Sequence, residues 1–259
     1  HKRKAVINET IVMKKSLLFL YLILAFTLVN SNYIKSDIQI TDFSLDDVLK
    51  SGRDLMSLEY GLHYLEDKSD SQNTLLIGVH GSDSQGYEWI YPLITIDNSN
   101  NLTSFFRYND NICPDRAYIN MSNEIISILD SNKNIQNVVL MGHSYGAMIV
   151  ALFSNKWINE TPLTIHAVAG PLTGPISTSF KSSLFRNICE YSPPKKLKDN
   201  VNFFQWRTIK ELDGAFNSLD YDPQIIDVQG SNVIRLPEVY NGRRLGHNWS
   251  LSWVAEEIT

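Results

Sequence analysis

Val138-Val139-Leu140-Met141-Gly142-His143-Ser144-Tyr145-Gly146-Ala147-Met148-Ile149-Val150-Ala151-Leu152-Phe153 is the stretch whose reading decides the fold. A short apolar, partly β-branched run is followed by two glycines flanking a serine, and then by a run that is apolar on every face. The first run has the length and composition of a buried parallel strand, and the second suits a central helix packed on a sheet. Between them a sharp strand-to-helix turn forces Ser144 into a strained backbone conformation that lifts its hydroxyl clear of the sheet, while Gly142 and Gly146 let strand and helix approach. Ser144 is the candidate nucleophile.

Working outward, Leu75-Leu76-Ile77-Gly78-Val79 reads as a second buried strand ending in His80-Gly81-Ser82-Asp83-Ser84-Gln85-Gly86, a run of small and polar residues with accessible backbone amides. Acyl transfer through a tetrahedral intermediate needs donors aimed at the developing oxyanion. The amides of Tyr145, directly after the serine, and of Ser82, after His80-Gly81, are the expected pair.

On these residues the chain resembles the α/β-hydrolase family, in its lipase and esterase branch. There a strand ending in His-Gly carries one oxyanion donor and a Gly-x-Ser-x-Gly elbow carries the other. The resemblance covers roughly residues 74 to 250, and Gly170-Pro171-Leu172-Thr173-Gly174 is similar to a Pro-x-x-Gly segment of bacterial lipases, with Leu172 standing where those enzymes usually have histidine. It implies a mostly parallel central sheet with helices on both faces, a small cap insertion, and the chain order serine, acid, histidine.

A neutral serine needs a base within hydrogen-bond reach and an acid to orient that base. Of the six histidines, only His247 lies well after the elbow in a loop-like setting, so it takes the base role. His80 and His143 belong to positions beside the site; His63, His166 and His1 have structural readings. The resemblance places the acid after the strand Phe203 to Ile209, where Asp213 matches, while Asp220, Asp222 and Asp227 compete from nearby. The separation of 34 positions from Asp213 to His247 leaves room for one helix and one strand. No histidine pair has zinc-ligand spacing with a third ligand nearby, so neither a metal nor another cofactor is expected.

The remaining expectations concern organisation. Met13-Lys14-Lys15-Ser16, the thirteen residues Leu17 to Val29, and Asn30-Ser31-Asn32 have the basic, apolar and polar regions of a secretory signal peptide. Thirteen residues span about 20 Å as a helix, short of the roughly 30 Å hydrocarbon core, so no stable membrane anchor is expected. Residues 1–31 are therefore read as upstream residues plus signal peptide, residues 32–259 as one α/β-hydrolase domain, and the product as exported, periplasmic or secreted.

Removing residues 1–31 takes five basic residues and Glu9, moving the formal charge from −5 to −9. An acidic chain argues against nucleic-acid binding, which neutralises phosphates with lysine and arginine. Cys113 and Cys189 admit one disulfide or two buried thiols. Between Asp37 and Asp70, Leu45, Val48, Leu49, Leu55, Leu58 and Leu62 fall at helical spacings and predict helical cover. Tyr87, Trp89 and Tyr91 are read as core or as a subsite, and Trp249 and Trp253 as one helical face docking on the sheet.

Taken together, the resemblance implies a serine hydrolase for small-molecule or lipid esters. An acyltransferase, a thioesterase or a catalytically silent binding protein on the same scaffold are the alternatives, and oligomeric state is open.

Overall fold

The computed structural model describes residues 37–174 and 189–259. The signal-peptide segment and His1 lie outside the described residues, as do residues 175–188 of the expected cap insertion (170–202), among them Phe180, Leu184 and Phe185. All described residues fall in one compact unit.

Seven strands form a central sheet: β1 (Gly61–Tyr64), β2 (Thr74–Val79), β3 (Asn101–Arg107), β4 (Asn137–His143), β5 (Leu163–Val168), β6 (Val201–Arg207) and β7 (Asn232–Arg235). Their order is β1-β3-β2-β4-β5-β6-β7. Only β1 runs antiparallel; the other pairs are parallel. Burial on both faces explains why β2 and β4 read as continuous apolar runs rather than alternating ones.

The helices among the described residues are α1 (Val48–Ser57), α2 (Tyr87–Ile96), α3 (Pro114–Ser131), α4 (Tyr145–Lys156) and α5 (Ser250–Glu257). Side chains of successive strand residues point to opposite faces, and two neighbours in β4 show which helix covers which. Met141 belongs to the cluster of Leu55, Trp89, Phe105, Trp206 and Leu251, so α1, α2 and α5 lie on its side. Gly142 instead opens toward Val150 of α4, which packs beside α3 on the other side. Every residue of α4 from Tyr145 to Ser154 is buried, as its all-round apolar sequence requires.

From β2 the chain crosses to β3 on one side, then returns to β4 on the other. The reversal leaves a crevice at the carboxyl ends of β2 and β4, the place where open α/β sheets bind ligands. His80-Gly81 and Ser144 sit at those two strand ends.

Three expectations are corrected. Gly61–Tyr64 is an edge strand paired with β3, not helical cover: α1 stops at Ser57, Gly61 has φ of 139°, and Glu124 accepts from the Leu62 amide at 2.7 Å. Leucine spacing alone did not distinguish a helix ending at residue 57 from one running through Leu62. No helix lies between Asp213 and His247; turns, β7 and the hairpin β8 (Val239–Tyr240) with β9 (Arg243–Arg244) fill that interval. The two tryptophans also part company. Trp253 meets Trp206 of the sheet edge-on at 5.9 Å, while Trp249 packs on Tyr240 of the hairpin, and α5 leans chiefly on α2.

Cys113 and Cys189 are joined, with their Cα atoms 5.4 Å apart. Closing a loop with a sequence separation of 76 stabilises the fold by about 4 kcal/mol on the chain-entropy model. The bridge begins at the N-cap of α3, where Pro114 takes the first helical position. Among the described residues, no helix is long and apolar enough to cross a membrane.

Candidate active site

Ser144 has φ 53° and ψ −118°, a conformation that ordinary L-residues avoid. The packing that imposes it is visible atom by atom. A Cβ on Gly146 would lie 2.3 Å from the Val79 carbonyl oxygen and 2.4 Å from that of His80, and one on Gly142 would lie 2.5 Å from the Gly146 oxygen. Helix α4 therefore starts in backbone contact with both β2 and β4. The Ser144 amide donates to Val168 at 3.0 Å, which ties the elbow to β5 as well.

The loop after β2 closes over the elbow from the other side. A Cβ on Gly81 would approach the Ser144 Cβ to 2.9 Å, so only glycine brings this loop against Ser144. His80 holds the loop in place. Its Nδ1 donates to the Gly81 carbonyl at 2.7 Å, and its Nε2 accepts from Arg107 at 2.9 Å and from the Tyr108 amide at 3.3 Å. Burial pulls His80 down to about 4, so it is neutral at ordinary pH, which this donor–acceptor pattern needs. Tyr108 stacks on His80 at 4.3 Å and donates to its carbonyl at 2.8 Å; it also stacks on Tyr145. The two residues read as oxyanion donors, Ser82 and Tyr145, thus stand on a loop and a helix start braced by one aromatic group.

His247 and Asp213 come from the other end of the sheet. Nδ1 of His247 lies 3.0 Å from both carboxylate oxygens of Asp213. An ionised carboxylate only accepts, so Nδ1 carries the proton and Nε2 is left as the basic nitrogen. Asp213 is fully buried, while His247 keeps 17% of its side chain exposed. Burial pushes the Asp213 carboxyl up, but the hydrogen bond and charge of His247, the Thr208 hydroxyl at 2.6 Å and the Ala215 amide at 2.9 Å outweigh it and hold the group below its ordinary value. The competing carboxylates do other things. Asp220 and Asp227 are exposed, and Asp222 accepts from the Gln224 amide and side chain at 3.0 and 3.1 Å, which makes it a turn former.

The imidazole of His247 is boxed in. Phe216 meets it edge-on at 5.1 Å and His143 packs on it at 4.7 Å. Nε2 of His143 donates to the His247 carbonyl at 3.1 Å, and Ser250 donates to the same oxygen at 2.5 Å. Burial, then the neighbouring His247, pulls His143 down to about 3, so it serves as a neutral strut.

Ser144, His247, Ser82 and Gly81 line one pocket of about 100 Å³. Tyr87 contributes to its wall and accepts from Asn248 at 2.9 Å, whereas Trp89 is wholly buried in the core and Tyr91 donates to Glu256 at the surface. Of the other histidines, His166 accepts from the Trp206 indole at 3.0 Å within the sheet, and His63 bonds the Glu59 carbonyl at 2.8 Å.

Sequence reasoning missed Thr208, Gln224 and Arg107. Gln224 accepts from the Thr208 amide at 2.8 Å and so steadies the strand end that presents a hydroxyl to Asp213. A threonine at the end of a strand is too common a pattern to have signalled this. Among the described residues no group of histidine, cysteine, aspartate and glutamate is arranged to hold a metal ion.

No family model matches the chain, and no curated protein matches it. Solved structures do. A lipase-esterase related protein from Clostridium acetobutylicum superposes with a TM-score of 0.50 at 14% identity, covering 76% of this chain and 98% of that one. A Xanthomonas campestris protein described as an a/b serine hydrolase without lid gives 0.44 at 12% identity over 75% and 83%. An esterase from Pyrococcus furiosus gives 0.41 at 11% identity over 87% and 95%. With the strand order and the Clostridium superposition both in hand, the chain adopts the α/β-hydrolase fold.

Proposed function

We propose that the protein is a serine hydrolase that cleaves carboxylic esters through Ser144, His247 and Asp213. The observation that carries this is the convergence, in one small pocket, of a serine held at φ 53° and a histidine whose Nδ1 is engaged by a buried carboxylate.

In this scheme Nε2 of His247 takes the Ser144 proton as Oγ attacks the ester carbonyl. The imidazolium that forms is stabilised by Asp213, and the amides of Tyr145 and Ser82 receive the oxyanion. His247 then protonates the departing alkoxide, leaving an acyl-serine. Water, deprotonated by the same nitrogen, attacks that acyl group and releases the acid and free Ser144. Tyr145 opens α4, so the positive pole of that helix adds to the stabilisation of the oxyanion.

Export is part of the proposal. Its support is the basic, apolar and polar order of residues 13–32 together with the bond between Cys113 and Cys189, which suits an oxidising compartment.

The test is fluorophosphonate labelling and p-nitrophenyl acetate hydrolysis by the wild type beside Ser144→Ala. Labelling and turnover that both vanish in the variant are expected. Folded wild type that neither labels nor turns over the ester would leave a binding protein on a hydrolase scaffold, and products formed only with an added acyl acceptor would turn the assignment to acyl transfer.

A further inference from the structure

Arg107 closes β3 and is half-buried, yet among the described residues it forms no ion pair. Its Nη1 donates to Nε2 of His80 at 2.9 Å, its guanidinium lies 5.5 Å from the Tyr60 ring, and its Nε has no hydrogen-bond partner. A guanidinium partly removed from water is usually matched with a carboxylate. Packing alone does not explain why this one is aimed at a neutral imidazole nitrogen.

The bond acts on the loop through two further links. Nε2 of His80 also receives the Tyr108 amide, at 3.3 Å. A nitrogen that accepts from two N–H groups carries no proton, so the proton of the neutral ring sits on Nδ1, which donates to the Gly81 carbonyl at 2.7 Å. That carbonyl and the Ser82 N–H belong to one peptide group, which is trans, and in a trans peptide the two point in opposite directions. Drawing the Gly81 oxygen to the His80 ring therefore turns the Ser82 N–H away from that ring, and Ser82 lines the pocket that holds Ser144 and His247. In the other tautomer two lone pairs would face each other across 2.7 Å, and the peptide would have to rotate. Of the two donors that choose the tautomer, Arg107 is the closer and the charged one, and its charge also opposes protonation of the ring.

We propose that Arg107 is a positioning residue for the oxyanion hole: by fixing the tautomer of His80 it fixes the direction of the Ser82 amide. The inference rests on the hydrolase function of Ser144 and on the place of Ser82 within it.

Two ketones separate this role from a structural one. With phenyl trifluoromethyl ketone, Ser144 Oγ adds to the carbonyl carbon, the hydroxyl proton passes to His247, and the carbonyl oxygen becomes an oxyanion in the hole; acetophenone binds without that addition. Arg107→Met is expected to lower kcat/KM on p-nitrophenyl acetate and to weaken binding of the trifluoromethyl ketone, each by roughly tenfold, with acetophenone binding little changed. Arg107→Lys, which returns a charged donor, should recover part of both. In a His80→Asn background the side-chain amide offers a donor in the place of Nδ1 and no ring nitrogen is left for Arg107, so Arg107→Met should cost little further, whereas a structural arginine would cost the same in both backgrounds. Should Arg107→Met not fold, His80→Asn beside His80→Leu reads the same link, the asparagine variant keeping an affinity for the trifluoromethyl ketone that the leucine variant loses. No loss in folded Arg107→Met, an equal loss with both ketones, an undiminished cost in the His80→Asn background, or equal losses in the two His80 variants would overturn the inference while leaving ester hydrolysis in place. Wild type that neither turns over the ester nor labels with fluorophosphonate would overturn the hydrolase function and this inference with it.

Discussion

The two halves of the candidate site are built by different means. The half around Ser144, from β2 through α4, is held by close approach of the main chain: Gly142, Gly146 and Gly81 each sit where a single methyl group would collide with a neighbouring segment. The half around His247 and Asp213, from Thr208 to Ser250, has almost no regular structure around these residues and is held by side-chain hydrogen bonds, Thr208 and Ala215 to Asp213, Thr208 to Gln224, His143 and Ser250 to the His247 carbonyl. Close packing leaves one conformation open and is local in sequence. A hydrogen-bond network can be assembled from many loop sequences, and its members are far apart in the chain.

The sharpest test of this contrast lies in the carboxylates. Asp213→Asn is expected to lower kcat on p-nitrophenyl acetate by roughly ten-thousandfold, because the amide can leave His247 in the wrong tautomer. Asp222→Asn, which disturbs only a turn, should cost less than about tenfold. Similar losses in both would mean that the network, and not one acid, orients the base.

Glycine substitutions compare the halves directly. Gly146→Ala places a methyl 2.3 Å from a carbonyl oxygen of β2, and urea denaturation is expected to register a loss of about 3 kcal/mol or more. At Gly214, beside the acid, a methyl would meet nothing within 4 Å, and alanine should change stability by less than about 0.5 kcal/mol. A tolerant Gly146 would undo the account of the elbow as a steric device.

The smallest effect is expected from Thr208→Val, which removes one donor from a carboxylate that keeps the Ala215 amide and His247. A fall of about tenfold in kcat with KM little changed is the expected result, the scale of one hydrogen bond to a charged group. A change confined to KM would place Thr208 in substrate binding and not in positioning.

The same contrast explains what was legible before the structure. β2 and β4 were readable because strands buried on both faces must be apolar throughout, and the elbow because its glycines answer to contacts among residues close in sequence or at the ends of adjacent strands. The edge strand β1 was not, since its four residues lie beside a leucine pattern that also suits a helix and only pairing with β3 chooses between them. The short hairpin of β8 and β9, exposed and rich in charge, carries little apolar pattern to read.

By itself, then, the sequence determined the α/β order of the chain, the serine at the elbow and the histidine that follows it, because these depend on apolar periodicity and on sterics within a few residues. Only the tertiary structure decided which of four aspartates meets His247 and that Arg107 is turned to His80. Those outcomes depend on where separate loops come to rest, and a carboxylate in a loop has the same local sequence character whether it is solvated or sealed against an imidazole.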